Sequence, residues 1–185
     1  MGNNYVSMTH VLIFGFDEQF AKWTCDRIPW MSYHPGMRAV GVADGDTADA
    51  KVLAAIVYHN HIPGRTIGGQ EWYNTIEVSF AASSPRFATR QTITNLLKIP
   101  FDQYKVTQVL LSVPSINERA LRFVKGIGFT SRGTVAHYFA KGVHAHVLGL
   151  HRNTFKSHFL KKEKRPMKRA ALGQEHPVAA AAASA

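Results

Sequence analysis

The chain has 185 residues, of which 45% are hydrophobic and 18% are charged, so it can bury one core of ordinary size but hardly two. Its apolar runs stay shorter than the roughly 18 residues of a membrane span, and its first residues lack the order of a signal peptide. Cys25 is the only cysteine, which excludes an internal disulfide. We therefore expect a cytoplasmic protein that does not contact a membrane.

The formal net charge of +10 is concentrated near the C-terminus. From position 152 onward the chain carries eight Lys or Arg residues and only two acidic ones, and it ends in an alanine-rich run. We expect a domain over residues 1–155 and a disordered tail over residues 156–185. The tail is either simply solvated, or its cations between Arg152 and Arg169 contact nucleic acid or another polyanion.

The first third of the chain alternates between strand and helix patterns. Residues 6–16 are apolar and strand-like, and Asp17 is placed to cap a helix over residues 18–27. Residues 37–43 and 52–61 then predict two antiparallel strands joined by an Asp-Gly-Asp turn.

The middle of the chain predicts a loop, a strand, a helix and another strand in succession. Residues 63–70 form the loop, and residues 72–81 form a strand in which alternate positions are apolar. A Ser-Pro pair starts a helix over residues 86–97, which Pro100 should end. Residues 106–113 follow as the next strand.

The last predicted elements are an amphipathic helix and a hairpin. Apolar residues spaced by three and four give the helix after Asn117 one buried face, and Gly128 ends it in the left-handed conformation. Strands over residues 135–139 and 143–150 follow, joined by a Lys-Gly turn. The predicted order is therefore β-α-β-β-β-α-β-α-β-β.

The junction after the strand of residues 72–81 is a candidate ligand site on physical grounds. The first turn of a helix offers unbonded amide groups and the positive end of the helix dipole. Arg86 and Arg90, four residues apart, should lie beside that turn on one helix face. A phosphate-bearing ligand would fit there, and solvated surface arginines are the alternative.

Two pairs of histidines are spaced so that each pair shares a face of a predicted strand. They are His59 with His61, and His144 with His146. Two imidazoles could bind a metal, but no carboxylate or thiolate completes a ligand set, so we predict no metal site. Surface histidines are the default, with His59 as a possible base or proton relay.

Five short motifs occur in a set order within residues 10–155. They are AVGV at 39–42, VYHNH at 57–61, SPRFATR at 84–90, PF at 100–101 and GFTSRG at 128–133. In order and spacing they resemble the GNAT superfamily of N-acetyltransferases, and most closely its short members encoded by phages and prophages. The resemblance implies an α+β fold, with a central mixed, mostly antiparallel sheet of six to seven strands flanked by helices.

The resemblance also implies acetyl-CoA as the co-substrate, bound between two parallel strands that splay apart, here residues 72–81 and 106–113. It assigns the cofactor arm to the backbone of the first strand and the pyrophosphate to the amides of the turn that follows. The implied cofactor-binding residues are Val78, Ser79, Phe80, Ala81, Arg86, Phe87, Ala88, Thr89, Arg90, Gln91 and Asn117.

The chain departs from the family's pattern at the phosphate turn and at the catalytic acid. Thr89 and Gln91 stand where glycines would let phosphates approach the backbone closely. Val124 stands where the family has a Tyr that protonates the leaving thiolate. Tyr138 or Tyr58 would then be the substitute acid, unless both are ordinary sheet residues.

The candidate base is Glu77, because it lies on the cofactor strand, and His59 is the second candidate. A strand carboxylate in solvent, or one paired with an arginine, is the alternative interpretation of Glu77.

Three functions follow from these observations. The first is an N-acetyltransferase that transfers acetyl from acetyl-CoA to an amine of a protein or small molecule by direct attack in a ternary complex. The second is a catalytically inactive phage protein of the same fold, with a structural role in the virion or a role in host interaction. The third, compatible with either, is contact with nucleic acid through the basic tail, which predicts binding that falls steeply with salt.

Overall fold

The computed structural model describes residues 10–45 and 50–160. Its strands and helices, in chain order, are β1 (Val11–Ile13), α1 (Asp17–Cys25), β2 (Arg38–Ala43), β3 (Val52–Ile62), β4 (Arg65–Ile67), β5 (Gln70–Trp72), β6 (Thr75–Ala82), α2 (Arg90–Asp102), β7 (Gln108–Pro114), α3 (Glu118–Gly126), β8 (Thr130–Ala140), β9 (Val143–His151) and α4 (Arg152–Phe155). A 3-10 turn, Pro85–Phe87, precedes α2, and a π-helical turn, Lys156–Leu160, follows α4. Among the described residues, no helix has the length and apolar character needed to cross a membrane.

Seven strands form one sheet, in the order β1-β2-β3-β6-β7-β9-β8, and β4 pairs with β5 in a separate hairpin. Every neighbouring pair in the large sheet is antiparallel except β6 and β7, which run parallel. The α+β fold expected from the sequence, with a mixed and mostly antiparallel sheet flanked by helices, is confirmed.

Buried side chains cover both faces of the sheet. On one face a large core joins the strands to α2, α3 and α4, and it includes Phe101, Val124 and Phe155. On the other face a smaller core holds α1 through Phe20 and Ala21. Because alternate strand residues point to opposite faces, β2 and β3 contribute to both cores.

A carboxylate ties the start of α1 to the sheet. The sequence predicts Asp17 as the helix cap, but Asp17 is the first helical residue, and the preceding Phe16 makes no capping hydrogen bond through its side chain to the described helix. The Asp17 carboxylate instead accepts hydrogen bonds from the Ala39 amide at 2.7 Å and the Arg38 guanidinium at 3.0 Å. One turn later Phe20 packs so closely on Gly41 that an added Cβ would overlap its ring. α1 therefore runs in the same direction as β2.

The loop expected over residues 63–70 is instead the hairpin of β4 and β5. Gly68 and Gly69 form its two-residue turn with φ angles of 58° and 80°, which is the left-handed combination that suits a type I′ hairpin. The strand expected from residue 72 consequently begins only at Thr75.

The prediction that the helix ends before Pro100 is wrong, because α2 continues to Asp102. Proline has no N–H group, so it cannot donate to the carbonyl of Leu96 one turn earlier. The hydroxyl of Tyr58 donates to that carbonyl at 2.9 Å instead. Tyr58 lies in the core, and burial raises the pKa of its hydroxyl well above the ordinary value. A side chain of β3 thus replaces the missing helical hydrogen bond.

The end of α3 follows the sequence prediction closely. Gly128 has a φ of 97°, and its amide donates to the Lys125 carbonyl at 3.0 Å, while the Phe129 amide donates to the Val124 carbonyl at 3.1 Å. These two bonds form a Schellman motif, which turns the chain directly into β8.

Arg152, the first of the C-terminal cations that the sequence offers to a polyanion, binds within the fold. Its guanidinium donates to the carbonyl of Phe101 at 2.6 Å and to that of Val106 at 2.8 Å, so it binds the end of α2. Side-chain packing extends to the π-helical turn, where Phe159 contacts the large core. Residues 161–185 lie outside the described residues, and the division into domain and tail stays a prediction.

We expect Tyr58→Phe to lower the free energy of unfolding by about 1–3 kcal/mol, because it leaves the buried Leu96 carbonyl without its donor. Pro100→Ala restores an amide at the position that can bond to this carbonyl. In that background Tyr58→Phe should therefore cost about 1 kcal/mol less. Urea unfolding of the four proteins in this double-mutant cycle measures the difference, and an equal cost in both backgrounds would contradict the assignment.

Candidate active site

The parallel strands β6 and β7 separate partway along their length. They pair only at Thr75 with Gln108, Ile76 with Val109 and Glu77 with Leu110. Beyond Glu77, β6 stays paired with β3 up to Ala82, and β7 stays paired with β9 up to Pro114. The two strands therefore form a V that is narrow at Glu77 and wide at their C-terminal ends.

A cleft of about 680 Å³ occupies this V, which is the volume of a small-molecule or cofactor site. Its walls come from β6, β7, the turn after β6, the start of α3 and the segment after α1. They are lined by Arg27, Ile28, Trp30, Val78, Phe80, Ala81, Ala82, Ser83, Ser84, Pro85, Phe87, Ala88, Leu111, Ser112, Val113, Pro114, Asn117, Arg119, Ala120 and Phe123. Two arginines and no carboxylate are present among these described lining residues.

Three aromatic rings pack together in one wall of the cleft. Phe80 of β6 lies 5.5 Å from Phe123 of α3 and 6.4 Å from Phe87 of the 3-10 turn, and the last two rings are 5.9 Å apart. Such tilted and edge-to-face contacts are favourable for aromatic groups. The cluster fixes α3 and the turn after β6 relative to each other, so the wide end of the V is held open by packed side chains.

The turn after β6 satisfies several of its own amide groups. The Ser84 hydroxyl accepts from the Arg86 amide at 3.3 Å, and the Thr89 hydroxyl accepts from the Thr92 amide at 3.1 Å as the N-cap of α2. The amide of Ala88 donates to the Pro85 carbonyl at 3.1 Å. Thr89, which stands where the resemblance expects glycine, thus has a structural role in starting the helix.

Arg86 and Arg90 do not share a helix face as the sequence suggests, because the chain is not one continuous helix there. Arg86 lies in the 3-10 turn, and Arg90 is the first residue of α2. The guanidinium of Arg90 donates to the His158 carbonyl and lies 5.4 Å from the ring centre of Phe159. Arg90 therefore binds the C-terminal π-helical turn.

Asn117 and Val124 have clear structural roles in α3. The Asn117 side chain caps the helix, with its Oδ1 atom accepting from the Ala120 amide at 3.0 Å, and the residue also lines the cleft. Val124 is fully buried in the large core, where it has no access to a leaving group.

Polar side chains gather at the narrow end of the V, on the face of the sheet that carries α1. The His59 ring lies between β6 residues, with Nε2 3.0 Å from the Ser79 hydroxyl and Nδ1 3.8 Å from a Glu77 carboxylate oxygen. Asn60 donates to the same carboxylate at 2.9 Å. The histidine tautomer with its proton on Nδ1 lets Nε2 accept from Ser79 and directs the N–H towards Glu77.

The two titratable groups of this cluster differ in their environment. The His59 side chain is only 12% exposed, whereas that of Glu77 is 44% exposed. Burial lowers the pKa of His59, an effect that the Glu77 charge opposes and His34 reinforces. Around neutral pH this pairing holds a neutral imidazole behind a carboxylate that solvent can reach.

The other tyrosine candidate lies away from the narrow end. Tyr138 is 61% exposed on β8, the last strand of the sheet. Its neighbour Phe139 packs on Trp30, with ring centres 4.7 Å apart, and this contact joins the segment after α1 to the β8–β9 hairpin. Tyr58 is committed to the core, as described above.

The cleft brings together six of the predicted cofactor-binding residues, namely Val78, Phe80, Ala81, Phe87, Ala88 and Asn117. Among the described residues, its walls do not include Ser79, Arg86, Thr89, Arg90, Gln91 or the catalytic candidates Glu77, His59 and Tyr138. Sequence reasoning missed Arg27, Trp30 and Arg119, which no local motif marks. In the described part of the chain, no three His, Cys, Asp or Glu side chains could share a metal ion.

Comparison with protein-family models finds no match, and comparison with curated protein sequences finds none either. The fold, in contrast, is similar to solved structures of the spermidine/spermine N-acetyltransferase SpeG from Vibrio cholerae. Mutant forms of that enzyme align over 80% of this chain and 98% of theirs, with a TM-score of 0.61 and 11% identity. Another SpeG mutant aligns over 80% and 95%, with a TM-score of 0.60 and 15% identity.

A chimera of the Vibrio cholerae enzyme with hSSAT is also similar, with a TM-score of 0.59, 11% identity and coverage of 79% of this chain and 98% of that one. Identities this low establish a shared fold without identifying a substrate. The chain therefore has the fold of the GNAT acetyltransferases.

Proposed function

We propose that the protein is an N-acyltransferase that transfers an acetyl group from acetyl-CoA to an amine within a ternary complex. The observation that carries this proposal is the cleft in the V between β6 and β7. Glu77 holds the last paired position of β6, where the V closes, and its side chain lies outside the described walls of the cleft. Catalysis would depend mainly on placing the thioester in line with the attacking amine.

The separation of the strands provides a place for the cofactor arm. Past Glu77, the edge of β6 that faces β7 pairs with none of the described strands, so its backbone amide and carbonyl groups are available to a ligand. The pantetheine arm contains two amide groups that can form such bonds. It would run along residues 78–82 from the wide end towards the narrow end, which brings the thioester close to Glu77.

The chemistry at the narrow end requires one proton acceptor. The Glu77 carboxylate takes the proton of the acceptor amine, whose nitrogen attacks the thioester carbon as the bond to the CoA sulfur breaks. For His59 to relay this proton, its ring takes the other tautomer, in which Nδ1 is free to accept the proton from Glu77 and Nε2 gives up its own proton towards the Ser79 hydroxyl. The departing sulfur needs no strong acid because thiols are moderately acidic, with pKa values of about 8.5, so a buried Val124 is compatible with turnover.

Glu77→Gln should reduce kcat by about 100- to 10,000-fold while leaving the affinity for acetyl-CoA unchanged. The Gln amide has nearly the shape of the Glu carboxylate, but it cannot act as a base. The matched control is Glu118→Gln, which removes an exposed carboxylate that pairs with Arg122 at 3.2 Å. CoA release over a panel of amines measures turnover, and calorimetry measures affinity. Equal rates for both variants would show that Glu77 is not the base.

The lowered pKa of His59 makes stability depend on pH. Below about pH 6.5 the His59 ring binds a proton more readily in the unfolded chain than in the folded protein. Acidification therefore favours unfolding. The wild type should therefore lose more unfolding free energy than His59→Gln between pH 7.5 and pH 5.5. Urea unfolding at both values tests this, and an equal loss in the two proteins would contradict it.

A second candidate function is a non-catalytic protein of the same fold, with a structural or host-interaction role such as a phage protein would have. Three hydrogen bonds favour this candidate. The Ser84 and Thr89 hydroxyls bind amides of the turn to which the resemblance assigns the pyrophosphate, and the Arg90 guanidinium binds the His158 carbonyl. Calorimetric titration with acetyl-CoA separates the two functions. Saturable binding supports the transferase, and no binding by folded protein supports the second candidate. The basic tail as a nucleic-acid contact stays a prediction.

A further inference from the structure

We propose that Arg27 and Arg119, rather than Arg86 and Arg90, hold the phosphate groups of CoA. This inference rests on the proposed function, and it assigns phosphate recognition to residues that no motif of the chain marks. Both arginines line the cleft, and neither Arg86 nor Arg90 is among its described lining residues.

The strand directions place both residues at the wide end of the V. α1 runs parallel to β2, as the contacts of Asp17 and Phe20 show, and two successive antiparallel pairings make β2 parallel to β6. The end of α1, and Arg27 two residues beyond it, therefore lies at the same edge of the sheet as the end of β6. Arg119 follows β7, whose end lies at that edge because β7 is parallel to β6.

The two guanidinium groups reach the wide end from opposite faces of the sheet. α1 packs on the smaller core, whereas α3 packs on the larger one through Val124. A ligand that fills the cleft therefore has one arginine on each side. With no described carboxylate in the lining, both positive charges remain available to an anion, and a planar guanidinium binds phosphate oxygens in pairs.

Arg27 is already held in position. Its guanidinium lies 3.8 Å from the ring centre of Trp23 and donates to the Trp23 carbonyl at 3.0 Å. Such stacking reduces the conformational entropy that the side chain loses on binding. Arg119 makes no hydrogen bond or ion pair with any described residue, and the nearest acidic residue in sequence, Glu118, pairs with Arg122.

Arg90 is poorly suited to the same task. Its guanidinium binds the His158 carbonyl and lies 5.4 Å from the ring centre of Phe159, so it is held against the C-terminal π-helical turn and is not among the described residues that line the cleft. The hydroxyl of Thr89 already accepts a hydrogen bond from the Thr92 amide at the start of α2. Phosphate recognition at the wide end therefore falls to the two cleft arginines.

Calorimetric titration of the full chain with CoA and with pantetheine, which lacks the phosphates, tests this inference. Arg27→Gln and Arg119→Gln should each raise the Kd of CoA about 10-fold and leave that of pantetheine unchanged. Arg90→Gln should change neither by more than about twofold. Lys22→Gln and Arg122→Gln, which remove cations paired with glutamates one turn away, are the matched controls.

The outcomes separate this inference from the proposed function. If the wild type binds CoA, and Arg90→Gln weakens it while Arg27→Gln and Arg119→Gln do not, the arginine assignment is wrong and the transferase proposal stands. If the folded wild type binds neither CoA nor pantetheine, both are wrong. Thermal unfolding of each variant confirms that it folds. Arg27→Lys keeps the positive charge but loses the paired N–H donors of the guanidinium, so it should bind CoA with intermediate affinity.

Discussion

The parallel pairing of β6 and β7 ends after three residue pairs, and the rest of the molecule is arranged around that separation. Each strand keeps its outer partner, so the sheet remains continuous at both sides of the gap. Two backbone edges in a sheet interior would ordinarily be costly without hydrogen-bond partners. Here they face a cleft that solvent or a ligand can enter, so the cleft and its unpaired strand edges are a direct result of the topology.

The packing on the two faces determines what the cleft can do. On the face of α2 and α3, the aromatic cluster of Phe80, Phe87 and Phe123 keeps the wide end apart. On the face of α1, His59 and Glu77 place a neutral imidazole and a partly exposed carboxylate at the narrow end. In the proposed reaction, charge attraction for an anion and proton transfer are therefore separated along the length of the V.

Local sequence patterns predicted the parts of the fold that depend on local physics. The apolar spacing of α3 and the left-handed Gly128 were both readable, because a helix face and its cap involve residues close in sequence. The continuation of α2 through Pro100 was not, since the compensating hydroxyl comes from Tyr58, which lies 38 residues before the Leu96 carbonyl that it binds. Propensity alone cannot reveal a hydrogen bond that tertiary packing supplies.

The same limit applies to the candidate site. The strand residues at the cleft could be predicted by resemblance, but Arg27 and Trp30 reach it only because α1 runs parallel to β2 and its following segment crosses to Phe139. Arg86 and Arg90 looked like a pair because four residues separate them. The interruption between the 3-10 turn and α2 removes the helical geometry on which that reasoning depended.

The contacts between Arg90 and the π-helical turn have a practical consequence for anyone who shortens the protein. A chain cut at residue 155, where the composition changes, would lose both the His158 carbonyl and the Phe159 ring. Arg90 would then be released beside the turn that follows β6, and part of the large core would be exposed where Phe159 covers it. Trimming the C-terminus would thus remove the partners of a positive charge next to the cleft. A shortened protein is therefore a poor substitute for the full chain in ligand-binding measurements.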